Sequence, residues 1–169
     1  MNNTIRMTMA LCGLLFAGHA FSQSIQMQRP VPYSDDGDVA DNVKNECTIN
    51  EQLADFVQEY AKTNGVDVQF VTGPVDTAAS GRVLDIKIVF AMSMGNAWTG
   101  HSKSTTVNGT LYENGQKVAS FKARRQSRGG LFGQYKGSCS VLGRTVRVIG
   151  EDIGGWLKAP VDGVILGDN

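Results

Sequence analysis

Cys47-Thr48-Ile49-Asn50-Glu51-Gln52-Leu53-Ala54-Asp55-Phe56-Val57-Gln58-Glu59-Tyr60, closed by Asn64-Gly65, is the stretch on which the fold turns. Ile49, Leu53, Phe56, Val57 and Tyr60 recur at the spacing of one helical face. Thr48 and Glu51 stand at capping-box spacing, and Asn64-Gly65 supplies a C-terminal stop. A second stripe of the same kind, Leu142, Val146, Ile149, Ile153, Trp156 and Leu157, ends before Pro160. Gly150, Gly154 and Gly155 interrupt it at about 1 kcal/mol each relative to Ala. Small residues there predict close approach to a neighbouring helix. A cysteine stands at the start of each stripe, Cys47 and Cys139.

Between the two helices the period changes from helical to alternating. Val66, Val68 and Phe70 alternate with Asp67 and Gln69, which suits a short half-buried strand. Val83 to Met94 reads as a longer strand with Leu84, Ile86, Ile88 and Phe90 on one face. A hairpin follows, 105–112 and 116–126, around Glu113-Asn114-Gly115. A two-residue Asn-Gly turn would set Val107 opposite Lys122. A three-residue loop sets Val107 opposite Phe121 and Gly109 opposite Ala119, and the apolar pattern favours it. Helix, strand run, helix predicts an α+β fold: an antiparallel sheet of about four strands with two helices packed on one face.

Outward from this core, residues 1–22 have the three parts of a cleavable signal peptide. Arg6 precedes the apolar run Met7 to Ala17, and Ala20 and Ser22 fit cleavage after Ser22. That apolar run is too short for a bilayer span, which needs about 20 residues, and no later stretch comes closer. The lipoprotein alternative would use Cys12, but Leu11 precedes it where a lipidation signal has a small residue. Residues 23–46, with Pro30, Pro32 and Ser34-Asp35-Asp36-Gly37-Asp38, predict a flexible tether. A single domain then spans 47–159, and a C-terminal tail, 160–169, holds a further edge strand through Val164 to Leu166.

Loss of the signal segment removes Cys12 and leaves one pair of cysteines in an oxidising compartment, the periplasm or the exterior. Paired, they staple the two helix starts; two buried free thiols are the alternative. On the chain-entropy model such a bridge stabilises the domain by roughly 4–5 kcal/mol. Sixteen Lys and Arg against sixteen Asp and Glu give a net charge of zero. That balance argues against bulk nucleic-acid binding.

The sequence holds no catalytic constellation. His101 is the single histidine after the signal segment, and a nucleophile needs a base beside it. Zinc would need three or four ligands, and the bridge takes both cysteines, so neither a metal nor another cofactor is expected. The segment from Ser127 to Ser138 is rich in glycine but fails the spacing of a phosphate loop. With Arg124, Arg125, Arg128, Phe132, Tyr135 and Lys136 it forms a candidate binding loop for an anion, ending at a helix start. The alternative is a connector whose aromatics fold over the core.

Cys47, Gly100 with Lys103-Ser104, the strand Asn108-Gly109-Thr110-Leu111, Ser127 with Gly129-Gly130, Gly133 to Arg144, Asp152-Ile153 and Trp156-Leu157 carry a resemblance. Over these residues the chain resembles a family of uncharacterised exported bacterial proteins. The resemblance implies a bacterial envelope protein and brings no activity. A looser likeness of shape is to small periplasmic accessory domains of envelope assembly machines. Together these readings predict a non-enzymatic periplasmic binding or assembly-accessory protein. Its expected partner is another envelope protein or an anionic envelope ligand. An inhibitor or immunity protein against an envelope hydrolase is the other reading, with Gly129 to Gly137 as the plug. Oligomeric state is not legible in the sequence.

Overall fold

The computed structural model describes residues 24–94, 102–127 and 137–168. The signal-peptide reading and His101 fall outside them. In chain order the elements are β1 (Ile25–Gln28), β2 (Tyr33–Val39), α1 (Asp41–Glu46), α2 (Ile49–Thr63), β3 (Val68–Val71), β4 (Arg82–Met94), β5 (Ser102–Glu113), β6 (Gln116–Ser127), α3 (Ser138–Lys158) and β7 (Val164–Gly167). One mixed sheet runs β3-β1-β4-β5-β6-β7, with β2 also pairing with β4. Of the four strands expected to be antiparallel, β4, β5 and β6 are so paired. Strand β3 instead lies at the sheet edge, parallel to β1, which separates it from β4. With β1, β2 and β7 the sheet has seven strands and is mixed.

Residues 25–46 are the largest departure from expectation. Far from a tether, they hold Ile25, Met27 and Val31, all fully buried, and Val39 and Val43, both nearly so. Strand β1 lies parallel between β3 and the first residues of β4, and β2 runs parallel to the far part of β4. Pro30 and Pro32 cannot donate to a ladder, so they separate one line of chain into two strands. The acidic run survives as an edge: Asp35, Asp36 and Asp38 all lie on β2. Charges on an open edge discourage pairing with another sheet.

The added strands explain the parallel pairings. Helix α2 lies in the connection from β1 to β3, and α3 is the connection from β6 to β7, both pairs parallel. A parallel pair requires such a crossover. The antiparallel part is confined to β4-β5-β6. The edge strand expected in the tail is present as β7.

The hairpin corrects the expected register and keeps its logic. Glu113 pairs with Gln116 across a two-residue Asn114-Gly115 turn, and both turn residues have positive φ, 51° and 79°. A register shift follows at once, between Leu111↔Ala119 and Tyr112↔Lys117. Val118 is the extra residue of this bulge, and it points its side chain to solvent. Beyond it Val107 faces Ala123 and Gly109 faces Phe121, not the Phe121 and Ala119 expected. Alternation fixes which face a residue occupies but not a slip of two, and the bulge restores the correct face after an otherwise mismatched turn.

Both helical stripes pack on one face of the sheet. Ile49, Leu53, Ala54, Val57 and Ala61 of α2 are buried, as are Leu142, Val146, Ile149, Ile153, Trp156 and Leu157 of α3. The capping box does not form: Thr48 makes no side-chain cap bond, and its hydroxyl accepts from Gln52 Nε2 at 3.1 Å. Where α3 crosses α2 the backbones nearly touch. A Cβ at Gly150 would stand 2.5 Å from Phe56 Cβ, and one at Gly154 would stand 2.7 Å from the backbone nitrogen of Ala61. At Gly155 nothing lies within 4 Å. Phe121 meets Trp156 edge-on at 4.8 Å between centroids, and Trp156 Nε1 donates to Val161 O at 3.0 Å, fixing the exit toward β7.

The helix starts are joined by the Cys47–Cys139 disulfide, with Cα atoms 5.2 Å apart. Two expectations follow. Replacing both cysteines by Ser should cost about 2–5 kcal/mol, a melting-temperature drop of roughly 10 °C; thiol titration of the unfolded, unreduced protein should find no free thiol. Gly154→Ala should destabilise by about 1–3 kcal/mol through overpacking, whereas Gly155→Ala should stabilise by up to about 1 kcal/mol through helix propensity. Equal effects in thermal denaturation would contradict the close helix crossing.

Candidate functional site

Of the predicted binding-loop residues, Arg124 and Arg125 are described. Arg128, Phe132, Tyr135 and Lys136 lie outside the described residues, as does 129–136, the segment on which the plug reading rests. Consecutive residues of a strand point to opposite faces, so β6 sends its two arginines apart.

Arg125 faces the helices. Its Nε and Nη2 donate to the two carboxylate oxygens of Asp152 on α3, each at 2.8 Å, and Nη1 donates to Asp168 at 3.2 Å. The second Asp168 oxygen accepts the backbone N–H of Gln126 at 2.8 Å. The hydrogen bonding to Asp152, foremost, raises the guanidinium pKa above its ordinary value. This paired fork ties β6, α3 and the segment after β7 together. Its donors are committed to the fold and not offered to a ligand.

Arg124 faces the other way, onto the side of β5 and β6 that no described helix covers. Register sets its neighbours: Phe90, Thr106 and Arg124 form one cross-strand row. Lys87, Asn108, Lys122 and Ile165 form the next. Val89, Phe90, Thr106, Asn108, Lys122 and Arg124 line a shallow groove of about 300 Å³. It adjoins a hollow of about 450 Å³ lined by Lys122, Arg124, Ile165 and Asp168. Ile165 is 57% exposed while its neighbours Val164 and Leu166 pack against the core. Among the described residues neither Lys122 nor Arg124 forms an ion pair with a carboxylate. Asp168 borders them, but Arg125 and the Gln126 N–H already hold both its oxygens.

Sequence reasoning found Arg124 but grouped it with the wrong neighbours. Lys122 was legible as the preceding outward position of the same strand. Phe90 was assigned to the buried face and moves outward because the register shifts between Ile88 and Phe90. Among the described residues no group of three His, Cys, Asp or Glu is placed to hold a metal.

No family model and no curated protein matches the chain. Solved structures do. The chain is similar to a Xanthomonas campestris protein of family DUF330, with TM-score 0.56 and 12% identity over 80% of this chain and 83% of that one. A PelC dodecamer from Paraburkholderia phytofirmans gives 0.47 at 10% identity, over 76% and 86%. A minor lipoprotein from Acinetobacter baumannii gives 0.45 at 12% identity, over 82% and 94%. The Xanthomonas likeness shows a shared fold. That neighbour belongs to a family of unknown function, in line with the resemblance read from the sequence.

The two arginines should separate by mutation. Arg125→Ala should cost more than about 1 kcal/mol, since it strips two part-buried carboxylates of their partner. Arg124→Ala should stay within about 0.5 kcal/mol. Urea denaturation of both variants measures the difference; equal losses would place Arg124 in the structural framework as well.

Proposed function

We propose that the protein is an exported binding or assembly-accessory protein of the cell envelope that holds an anionic ligand on the open face of its sheet. One observation carries the reading. Lys122 and Arg124 stand side by side on a face that no described helix covers, without a described ion-pair partner, next to Phe90 and the exposed Ile165. The Arg6-led apolar segment and the disulfide support the compartment. No described helix is long and apolar enough to cross a membrane.

The energetics suit a broad, salt-sensitive contact. A basic side chain near an anionic surface contributes about 1 kcal/mol, and salt screens it over about 10 Å at 0.1 M. Two cations alone therefore give weak binding. Apolar area adds about 25 cal/mol per Å² removed from water, and Phe90 and Ile165 supply it. A deep enclosed pocket is not needed for such a ligand.

The test uses the mature protein with vesicles of phosphatidylglycerol, vesicles of phosphatidylcholine, and soluble dextran sulfate. Binding to the anionic vesicles or to the polyanion, with none to the neutral vesicles, is expected. The two positive arms distinguish a lipid surface from a soluble acidic polymer. Lys122→Glu with Arg124→Glu should weaken binding by about thirtyfold or more and leave the melting temperature unchanged. Unaltered binding by the double variant, or no binding by the wild type to either anionic probe, would overturn the reading.

A further inference from the structure

Three polar side chains from three elements meet on the helix-facing side of the sheet, at the end that carries the disulfide. Ser93 on β4 and Lys103 on β5 are direct cross-strand partners. Ser138 is the first residue of α3, beside Cys139. Lys103 Nζ donates to Ser93 Oγ, and Ser93 Oγ donates to Ser138 Oγ at 2.9 Å. One level deeper, Thr105 and Thr145 share a 2.8 Å bond between their hydroxyls. Thr145 also donates to Leu142 O at 2.7 Å. That pair closes the apolar core beneath the cluster.

Lys103 is the anomaly. It is 1% exposed, and among the described residues it forms no ion pair with a carboxylate. A buried ammonium without a counter-charge is costly, and burial lowers its pKa. Its hydrogen-bonded chain of two hydroxyls ends at a half-buried serine. That serine opens a helix of 21 residues whose N-cap, Gly137, makes no side-chain cap bond. No acidic residue occupies the first turn. The N–H groups of Ser138 and Cys139 have no partner within the helix. A nucleophile, a base reached through a relay, and donors suited to a developing oxyanion thus share one place. Serine–lysine pairs are an established alternative to serine–histidine pairs for acyl transfer.

We propose that Ser138 is a reactive nucleophile, activated by Lys103 through Ser93, that accepts acyl groups from carboxylic esters or amides. In the neutral-amine state the hydrogen bonds reverse. Ser138 Oγ attacks the acyl carbon while its proton passes to Ser93, and the Ser93 proton passes to Lys103. The carbonyl oxygen takes the negative charge facing the first-turn N–H groups of α3. Collapse breaks the bond to the alcohol or amine, which leaves with the proton from Lys103. Ser138 then carries the acyl group as an ester. Water, deprotonated through the same relay, releases it as a carboxylic acid and restores the serine. This site is separate from the open sheet face, and neither reading depends on the other.

The experiment exposes the folded, disulfide-bonded mature protein to a fluorophosphonate, with the adduct located by peptide mass spectrometry. In that reaction the Ser138 oxygen bonds to phosphorus, fluoride leaves and Lys103 holds the proton. One adduct per chain, on Ser138 and absent from Ser138→Ala, is expected. Ser93→Ala and Lys103→Met should each slow labelling by about a hundredfold or more. Circular dichroism of each variant reports folding; if Lys103→Met fails to fold, Ser93→Ala carries the comparison. No adduct on Ser138, or equal labelling rates in a folded relay variant, would overturn the proposal.

Discussion

Backbone contact between α2 and α3 is the constraint from which the architecture follows. With Gly150 and Gly154 at the crossing, the helices approach until Phe56, Tyr60 and Ala61 rest on bare α3 backbone. Two helices drawn that close present one continuous apolar surface, and one sheet face is enough to bury it. The disulfide holds their starts at the same end. Everything else is arranged around this layer: the strands added at each end of the chain widen the sheet beneath it, and the opposite face carries Lys122 and Arg124 beside Phe90 and Ile165.

How far the fold was legible depended on how long each pattern runs. The fifteen residues of α2 and the long stripe of α3 repeat often enough to be unmistakable. So do the long strands β4 and β6. Strand β1 has four residues, Ile25-Gln26-Met27-Gln28. It alternates correctly, yet two apolar positions beside two prolines and an acidic run did not outweigh a composition that looked like linker. Missing β1 also hid the parallel pairings, because a leading helix gives no hint that it is a crossover. The hairpin shows a different limit. Alternation located the correct faces, but Val118 is a bulge, and the alternation of apolar side chains cannot separate registers two residues apart.

The sites divide along the same line. Arg124 and Lys122 sit two apart on one strand, so local periodicity places them together. Their relation to Phe90 and Ile165 depends on three strand registers, two of them shifted. Ser93, Lys103 and Ser138 carry no local signal at all. Strand pairing brings the first two together and the packing of α3 adds the third. The conflict that makes Lys103 conspicuous, a buried cation without a described carboxylate, exists only in three dimensions. A lysine at an inward position between two serines, ahead of two threonines, reads in sequence as an ordinary polar strand end.

The central place of β1 also bears on how the chain reaches its native state. Helix α2 and the β5–β6 hairpin are local structures, and such elements form on the microsecond scale. Strand β1, by contrast, pairs on both sides with strands made later in the chain, and Cys47 meets its partner only once α3 is in place. Pairings of long sequence separation bear the loop-closure entropy before they are rewarded. Ile25 and Met27 therefore gain their strand partners only after β3 and β4 have been made.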